Sequence, residues 1–169
     1  MDADDFERAA REHKDRVHGY AFWMVHDREE ATDVAQEALV RLWQHRSEVP
    51  EAAARGWLLR TAHHLCVDRM RRRAIRSGPA MEDVEHRIAD ASPGPHRSAT
   101  SREASRLIFD ALQTLSPRDQ SAVLLREVEG LPYDEIARVL DMNLGTLKAT
   151  LHRARERLRE RLVRQGMTP

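Results

Sequence analysis

Between Arg76 and Arg102 the chain changes character. Ser77-Gly78-Pro79 opens this stretch and Ala91-Ser92-Pro93-Gly94-Pro95 closes it. Glycine and proline at that density break helices. On either side, apolar residues recur at helical spacing and β-branched runs are short, so no strands are expected. A chain divided in this way is expected to be all-α: two small helical domains joined by a flexible linker. The expected boundaries are 1–76, 77–102 and 103–169. A loose coil of about 25 residues typically spans roughly 25–30 Å, and more when stretched. Two helical cores of roughly 60–75 residues each are only marginally stable alone, which leaves room for a partner to add stability.

The formal net charge of +0 conceals a pattern. Lys and Arg minus Asp and Glu gives −4 for Met1–Ser47, +4 for Glu48–Arg76, −1 for Ser77–Arg102, −4 for Glu103–Glu135 and +5 for Ile136–Pro169. Each half has an acidic front and a basic back. Basic patches attract polyphosphate backbones, and an acidic patch suits a protein partner or simply keeps the fold in solution. Arg supplies nearly all the cations, Lys14 and Lys148 being the only lysines. Arg forks grip phosphate and guanine bidentately, although a GC-rich genome gives the same bias.

Several function classes are disfavoured. Cys66 is the only cysteine, so no internal disulfide and no CxxC zinc site is expected. No apolar run approaches the ~20 residues of a membrane span. The acidic start Met1-Asp2-Ala3-Asp4-Asp5 is the opposite of a signal peptide's basic start, so a cytoplasmic protein is expected. The paired carboxylates Asp4-Asp5 and Glu29-Glu30 lie at helix starts, where the helix dipole accounts for them. There is no Gly-rich phosphate loop, and the adjacent His63-His64 pair is a poor metal site. Neither an enzyme nor a metal or other cofactor is expected.

The apolar spacing predicts a first helix over Phe6–Val25, with Phe6, Ala10, Val17, Tyr20 and Met24 inward. A second starts after Asp27, which with Glu30 has capping-box spacing; Ala31, Val34, Ala35, Ala38, Leu39 and Leu42 form its buried stripe. A third runs from Glu51 to about Arg76, with Trp57, Leu58, Thr61, Leu65 and Met70 inward. Beyond the linker, Ser101–Thr114 forms one helix. Ser116-Pro117 opens another, with Ser as N-cap and Pro at N1, ending near Gly130.

The last two helices form a recognisable pattern. Tyr133–Leu140 is short, Asp141-Met142-Asn143 is a turn, and Leu144 to about Arg164 is long. That is the outline of a DNA-binding helix-turn-helix. Ile136, Ala137 and Leu140 point inward from the first helix. Leu147, Leu151, Ala154 and Leu158 do so from the second, which Asn143 caps. Thr146, Lys148, Ala149, Thr150, His152, Arg153 and Arg155 remain outside, a polar and cationic face at a helix start, as major-groove docking requires. An ordinary antiparallel helix pair with a solvated Arg-rich face has the same pattern. A second basic segment holds Arg69, Arg71, Arg72, Arg73 and Arg76, with Trp57, His63 and His64 just upstream. Rings beside cations suit single-stranded nucleic acid; a core Trp57 and a solvated helix end fit equally.

These residues resemble a known family. Leu115-Ser116-Pro117-Arg118, Val123–Leu131, Tyr133-Asp134-Glu135-Ile136-Ala137, Gly145-Thr146-Leu147-Lys148 and Leu151-His152-Arg153-Ala154-Arg155 resemble region 4 of bacterial sigma factors, most of all the extracytoplasmic-function (ECF) type of the sigma-70 family. Asp33-Val34-Ala35-Gln36-Glu37 with Arg41-Leu42-Trp43 resembles region 2.2. Trp57–Ala62 with Asp68–Arg72 resembles regions 2.3 and 2.4.

The resemblance implies a dissociable subunit of RNA polymerase. Asp33, Gln36, Glu37, Arg41 and Trp43 match the motif that binds the clamp helices of the largest polymerase subunit. Trp57, Arg60, His63, His64, Asp68, Arg69, Arg71, Arg72 and Arg73 fall where the family recognises and melts the −10 element. Thr146, Lys148, Ala149, Thr150, His152, Arg153 and Arg155 fall where it reads the −35 element. The family further implies contact with the flap of the second-largest subunit. It also implies an anti-sigma partner, through which the protein can be tethered at a membrane. Three departures stand out: Pro132 where the family usually has Ser, Ala149-Thr150 after Lys148 in place of Ser-Arg, and His63-His64 where Arg-Asn is frequent.

Overall fold

The computed structural model describes residues 1–77 and 99–167. Among these residues there are seven α-helices and no strand. They are α1 (Ala3–Val25), α2 (Arg28–Gln44), α3 (Ala54–Ser77), α4 (Ala99–Leu112), α5 (Pro117–Val123), α6 (Tyr133–Val139) and α7 (Leu144–Arg164). A 3₁₀ turn, Glu51–Ala53, precedes α3, and a π turn, Leu124–Val128, follows α5. The chain divides into two compact units, one built on α1–α3 and the other on α4, α5, α7 and most of α6. The expected linker lies mostly outside the described residues. Its last part does not: α4 begins at Ala99, two residues before the expected start. Pro95 is the last proline of the break, and Ala99-Thr100-Ser101 contains no helix breaker.

In the first unit α1 starts three residues earlier than its apolar pattern predicts, because its cap is polar. Asp2 accepts from the Asp5 amide at 2.8 Å and the Asp5 carboxylate accepts from the Asp2 amide at 3.1 Å, a reciprocal capping box. Asp27 caps α2 as expected, accepting from the Glu30 amide at 2.9 Å. The Glu30 side chain does not complete that box; its carboxylate is taken by Arg73 of α3. The core contains Val17, Tyr20, Ala21 and Met24 of α1, Ala31, Val34, Ala38 and Leu42 of α2, and Leu58, Leu59, Ala62 and Cys66 of α3. The alanines let the helix axes approach closely. Burying Leu58 and Leu59 contributes about 1.5–3 kcal/mol each. Phe6, Ala10, Leu39, Trp57, Thr61 and Met70 are only half-buried, at the edge of the expected stripes.

In the second unit Ser116 caps α5, accepting from the Asp119 amide at 3.2 Å, with Pro117 at N1. The helix does not continue as α-helix to Gly130. At Leu124 it widens into the π turn, closed by the Glu129 amide on the Leu124 carbonyl at 3.0 Å. Gly130 then takes a left-handed φ of 65°, which suits glycine. Leu124, Leu125, Leu131, Ile136, Leu147, Leu151 and Ala154 fill the core, while Ala137 is half-buried. Among the described residues no helix is long and apolar enough to cross a membrane.

Candidate nucleic-acid and partner interfaces

Asn143 fixes the start of α7: its side-chain oxygen accepts from the Thr146 amide at 2.7 Å. Leu147, Leu151 and Ala154 are fully or almost fully buried and set the inward direction. Thr146, Lys148, Ala149, His152 and Arg153 are exposed together on the opposite side. This is the polar, cationic face expected of a groove-reading helix.

Two residues expected on that face are not part of it. Thr150 is 5% exposed. It lies one turn from both Leu147 and Ala154, so the helix carries it to the inner side. Arg155 is exposed but engaged: its Nε donates to Glu127 Oε1 at 3.0 Å, and its Nη2 donates to the same oxygen. Glu127 first, and then the neighbouring Tyr133, holds its guanidinium above the usual pKa range. Beside it, Arg126 donates to the Leu131 carbonyl at 2.9 Å and lies 4.9 Å from the centre of the Tyr133 ring. The π turn therefore presents Arg126 and Glu127 as clamps around the start of α6 and the middle of α7. Neither clamp was legible in the sequence.

The second basic segment is sorted in the same way by its neighbours. Arg60, His64, Arg71, Arg72 and Arg76 are exposed on α3. Asp68 accepts from Arg71 at 2.7 Å and pairs with Arg72 at 2.8 Å, which aligns those two guanidinium groups. His63 is buried, its Nδ1 lying 3.3 Å from the Tyr20 hydroxyl; it is a core contact between α1 and α3, contrary to expectation. Arg69 reaches Glu37 of α2 at 3.4 Å. Arg73 donates to the Val25 carbonyl at 2.9 Å and to Glu30. Both arginines staple α3 to its neighbours. Trp57 is half-buried, its ring 5.8 Å from that of His45.

On α2, Asp33, Gln36, Arg41 and Trp43 are exposed and Glu37 is half-buried. Glu37 accepts from Arg41 at 2.6 Å and from Arg69 at 3.4 Å, so one carboxylate serves both helices. The Trp43 ring meets Phe6 edge-on at 5.0 Å and carries the Arg46 guanidinium at 3.9 Å. Val40, one turn before Trp43, is 55% exposed and adds an apolar group that sequence reasoning missed; it lies on the far side of the buried stripe.

Among the described residues no cluster of His, Cys, Asp and Glu could hold a metal ion. Cys66 is fully buried, and burial pushes its thiol up to about 12, the mark of a core residue rather than a reactive one. His26, at the end of α1, is driven down to about 3 by burial, with Arg73 adding to the effect.

Comparison with known proteins places both units. The sigma-70 region 2 family matches residues 9–75, and the sigma-70 region 4 family matches residues 105–158. The ECF sigma factor SigE of Mycolicibacterium smegmatis is 31% identical over 162 residues, covering 95% of this chain, which spans 63% of that protein's length. The sigma-E factor of Streptomyces coelicolor is 32% identical over 165 residues, covering 96% of this chain and 89% of that protein. The sigma factor RpoE of Bartonella quintana, solved in complex with the anti-sigma factor NepR, shares the fold with a TM-score of 0.73 at 21% identity, over 95% of this chain and 98% of that one. Two family regions in order on one chain, with relatives 31% and 32% identical over nearly all of this chain, mean that the chain belongs to the ECF sigma factors of the sigma-70 family.

Proposed function

We propose that this protein binds core RNA polymerase and directs it to a dedicated set of promoters, with no catalytic activity of its own. The observation that carries the reading is the outer face of α7. There Thr146, Lys148, Ala149, His152 and Arg153 stand exposed on a helix whose opposite side is locked into its core. Such a face docks in a major groove and belongs at the −35 element. Trp57, Arg60, His64, Arg71 and Arg72 serve the −10 element. Asp33, Gln36, Arg41 and Trp43, joined by Val40, engage the polymerase clamp helices. Glu37, His63, Asp68, Arg69, Arg73, Thr150 and Arg155 hold these surfaces in shape. Residues 1–76 and 103–169, the latter extended back to Ala99, act as separate readers on the segment between them.

An anti-sigma factor that covers these faces until a signal arrives belongs to the same reading. The exposed Val40 and Trp43 supply apolar surface for it. The protein then works in the cytoplasm, where polymerase and chromosome meet, with membrane tethering only through that partner.

Purified protein added to core polymerase should start RNA at a small, shared set of sites in a genomic promoter library. Start sites that do not depend on the protein overturn the proposal. A gel shift with duplex promoter DNA should need core enzyme; tight binding by the protein alone points instead to a free-standing regulator.

A further inference from the structure

The exposed face of α7 is not uniform. Residues on an α-helix advance about 100° each, so the buried Leu147, Thr150, Leu151 and Ala154 define one inward direction. Gly145, Ala149, His152 and Glu156 all lie within about 30° of the opposite direction, while Lys148 and Arg153 stand about 70° to either side. Gly145 and Ala149 carry no hydrogen-bonding side chain. His152 is therefore the first residue on this ridge, counted from the helix start, that can bond to a base edge. Thr150 is withdrawn into the core, and Arg155 is held by Glu127.

We propose that His152 determines sequence preference at the −35 element by donating an imidazole N–H to the major-groove edge of a purine. Lys148 and Arg153 flank it and hold the two phosphate walls of the groove. This rests on the reading of α7 as the −35 helix and assigns the roles within it. Every purine presents an N7 acceptor in the major groove, and guanine adds O6. An imidazole nitrogen bearing hydrogen matches that edge. Long cations displaced from the ridge reach sideways to the backbone, where contacts fix position without reading sequence.

The test uses the full chain with core polymerase and a promoter library randomised across the −35 element, with occupancy measured at several salt concentrations. The wild-type holoenzyme should favour a purine at one base pair. His152→Ala should flatten that single preference by about tenfold and leave the salt slope unchanged. His152→Gln, which can pair with adenine N6 and N7, should move the preference toward adenine. Lys148→Ala should lower occupancy of all sequences alike and reduce the salt slope by about one. His152 is exposed, so unfolding does not complicate the variants; matching melting curves check this. An unchanged preference in His152→Ala overturns the proposal, as does a preference that moves in Lys148→Ala instead. A wild-type holoenzyme with no −35 preference at all overturns the underlying reading of α7 too.

Discussion

Arg155 of α7 donates its Nε to Glu127 Oε1 of the π turn at 3.0 Å, across 28 residues of sequence. The pair engages Arg155 away from the exposed face of α7 that we propose meets DNA, and ties the middle of α7 to the π turn. Both side chains are about half exposed, so solvent screens the pair. Arg155→Ala and Glu127→Gln should each destabilise the second unit by about 0–1 kcal/mol, and the double variant by little more than either alone. Amide hydrogen exchange along α7 checks this. Neither change should alter base preference at the −35 element; altered preference in Arg155→Ala would return Arg155 to the reading face.

Arg73 does a larger task in the first unit. It satisfies the Val25 carbonyl at the end of α1 and pairs with Glu30 in the first turn of α2. With roughly a third of each charged side chain exposed, the pair is better shielded than that of Arg155. Arg73→Ala should cost about 1–3 kcal/mol. Trp23, Trp43 and Trp57 are the only tryptophans and all lie in this unit, so urea unfolding followed by tryptophan fluorescence reports on it alone. A midpoint that does not move would return Arg73 to the DNA surface.

Much of this arrangement was legible in the sequence because it is local. The Asn143 cap, the Ser116-Pro117 start and the Leu147, Leu151, Ala154 stripe each follow from residues within one or two turns. What escaped was held by distance or by angle. Arg69 and Arg73 look like part of one cationic run, but their partners Glu37 and Glu30 lie 32 and 43 residues away. Thr150 reads as polar and therefore outward, and His63 falls where the family meets the −10 element, although helical rotation places them beside Leu147 and Leu59. The π turn differs from an α turn by one hydrogen-bond register, which nothing in Leu124–Val128 announces.

His26 makes the first unit acid-sensitive. It is buried at the end of α1, with φ of 55° and a pKa lowered from 6.5 to about 3. In the unfolded chain it binds a proton near pH 6.5; in the folded chain it stays neutral until about pH 3. Below pH 6.5 the unfolded state binds more protons, so stability falls as pH falls. The loss runs from about pH 6.5 to about pH 3, at no more than about 1.4 kcal/mol per pH unit for this group. His26→Asn tolerates the left-handed backbone and cannot titrate. Its urea midpoint should fall less between pH 7 and pH 5 than that of the wild type. The slope that remains includes His13, whose pKa burial also lowers. Equal slopes in the two proteins would exclude His26 as a source.

Gly145 separates what the fold needs from what its outer face needs. It is the second residue of α7, on the exposed ridge, and a Cβ placed there would meet only Asn143 Oδ1 at 3.5 Å, an ordinary contact. Its φ is not left-handed, so the fold does not require glycine. Alanine is favoured over glycine within a helix by up to about 1 kcal/mol. Gly145→Ala should therefore keep or slightly raise the melting temperature, by no more than about 8 °C. In the proposed docking of α7 the added methyl stands toward the DNA, so promoter occupancy by the holoenzyme should fall several-fold at the same time. Opposite signs for stability and binding are what a close backbone approach to DNA demands. A lower melting temperature would show that the helix start has less room than its geometry indicates. Undiminished occupancy would place the DNA farther from the first turn of α7.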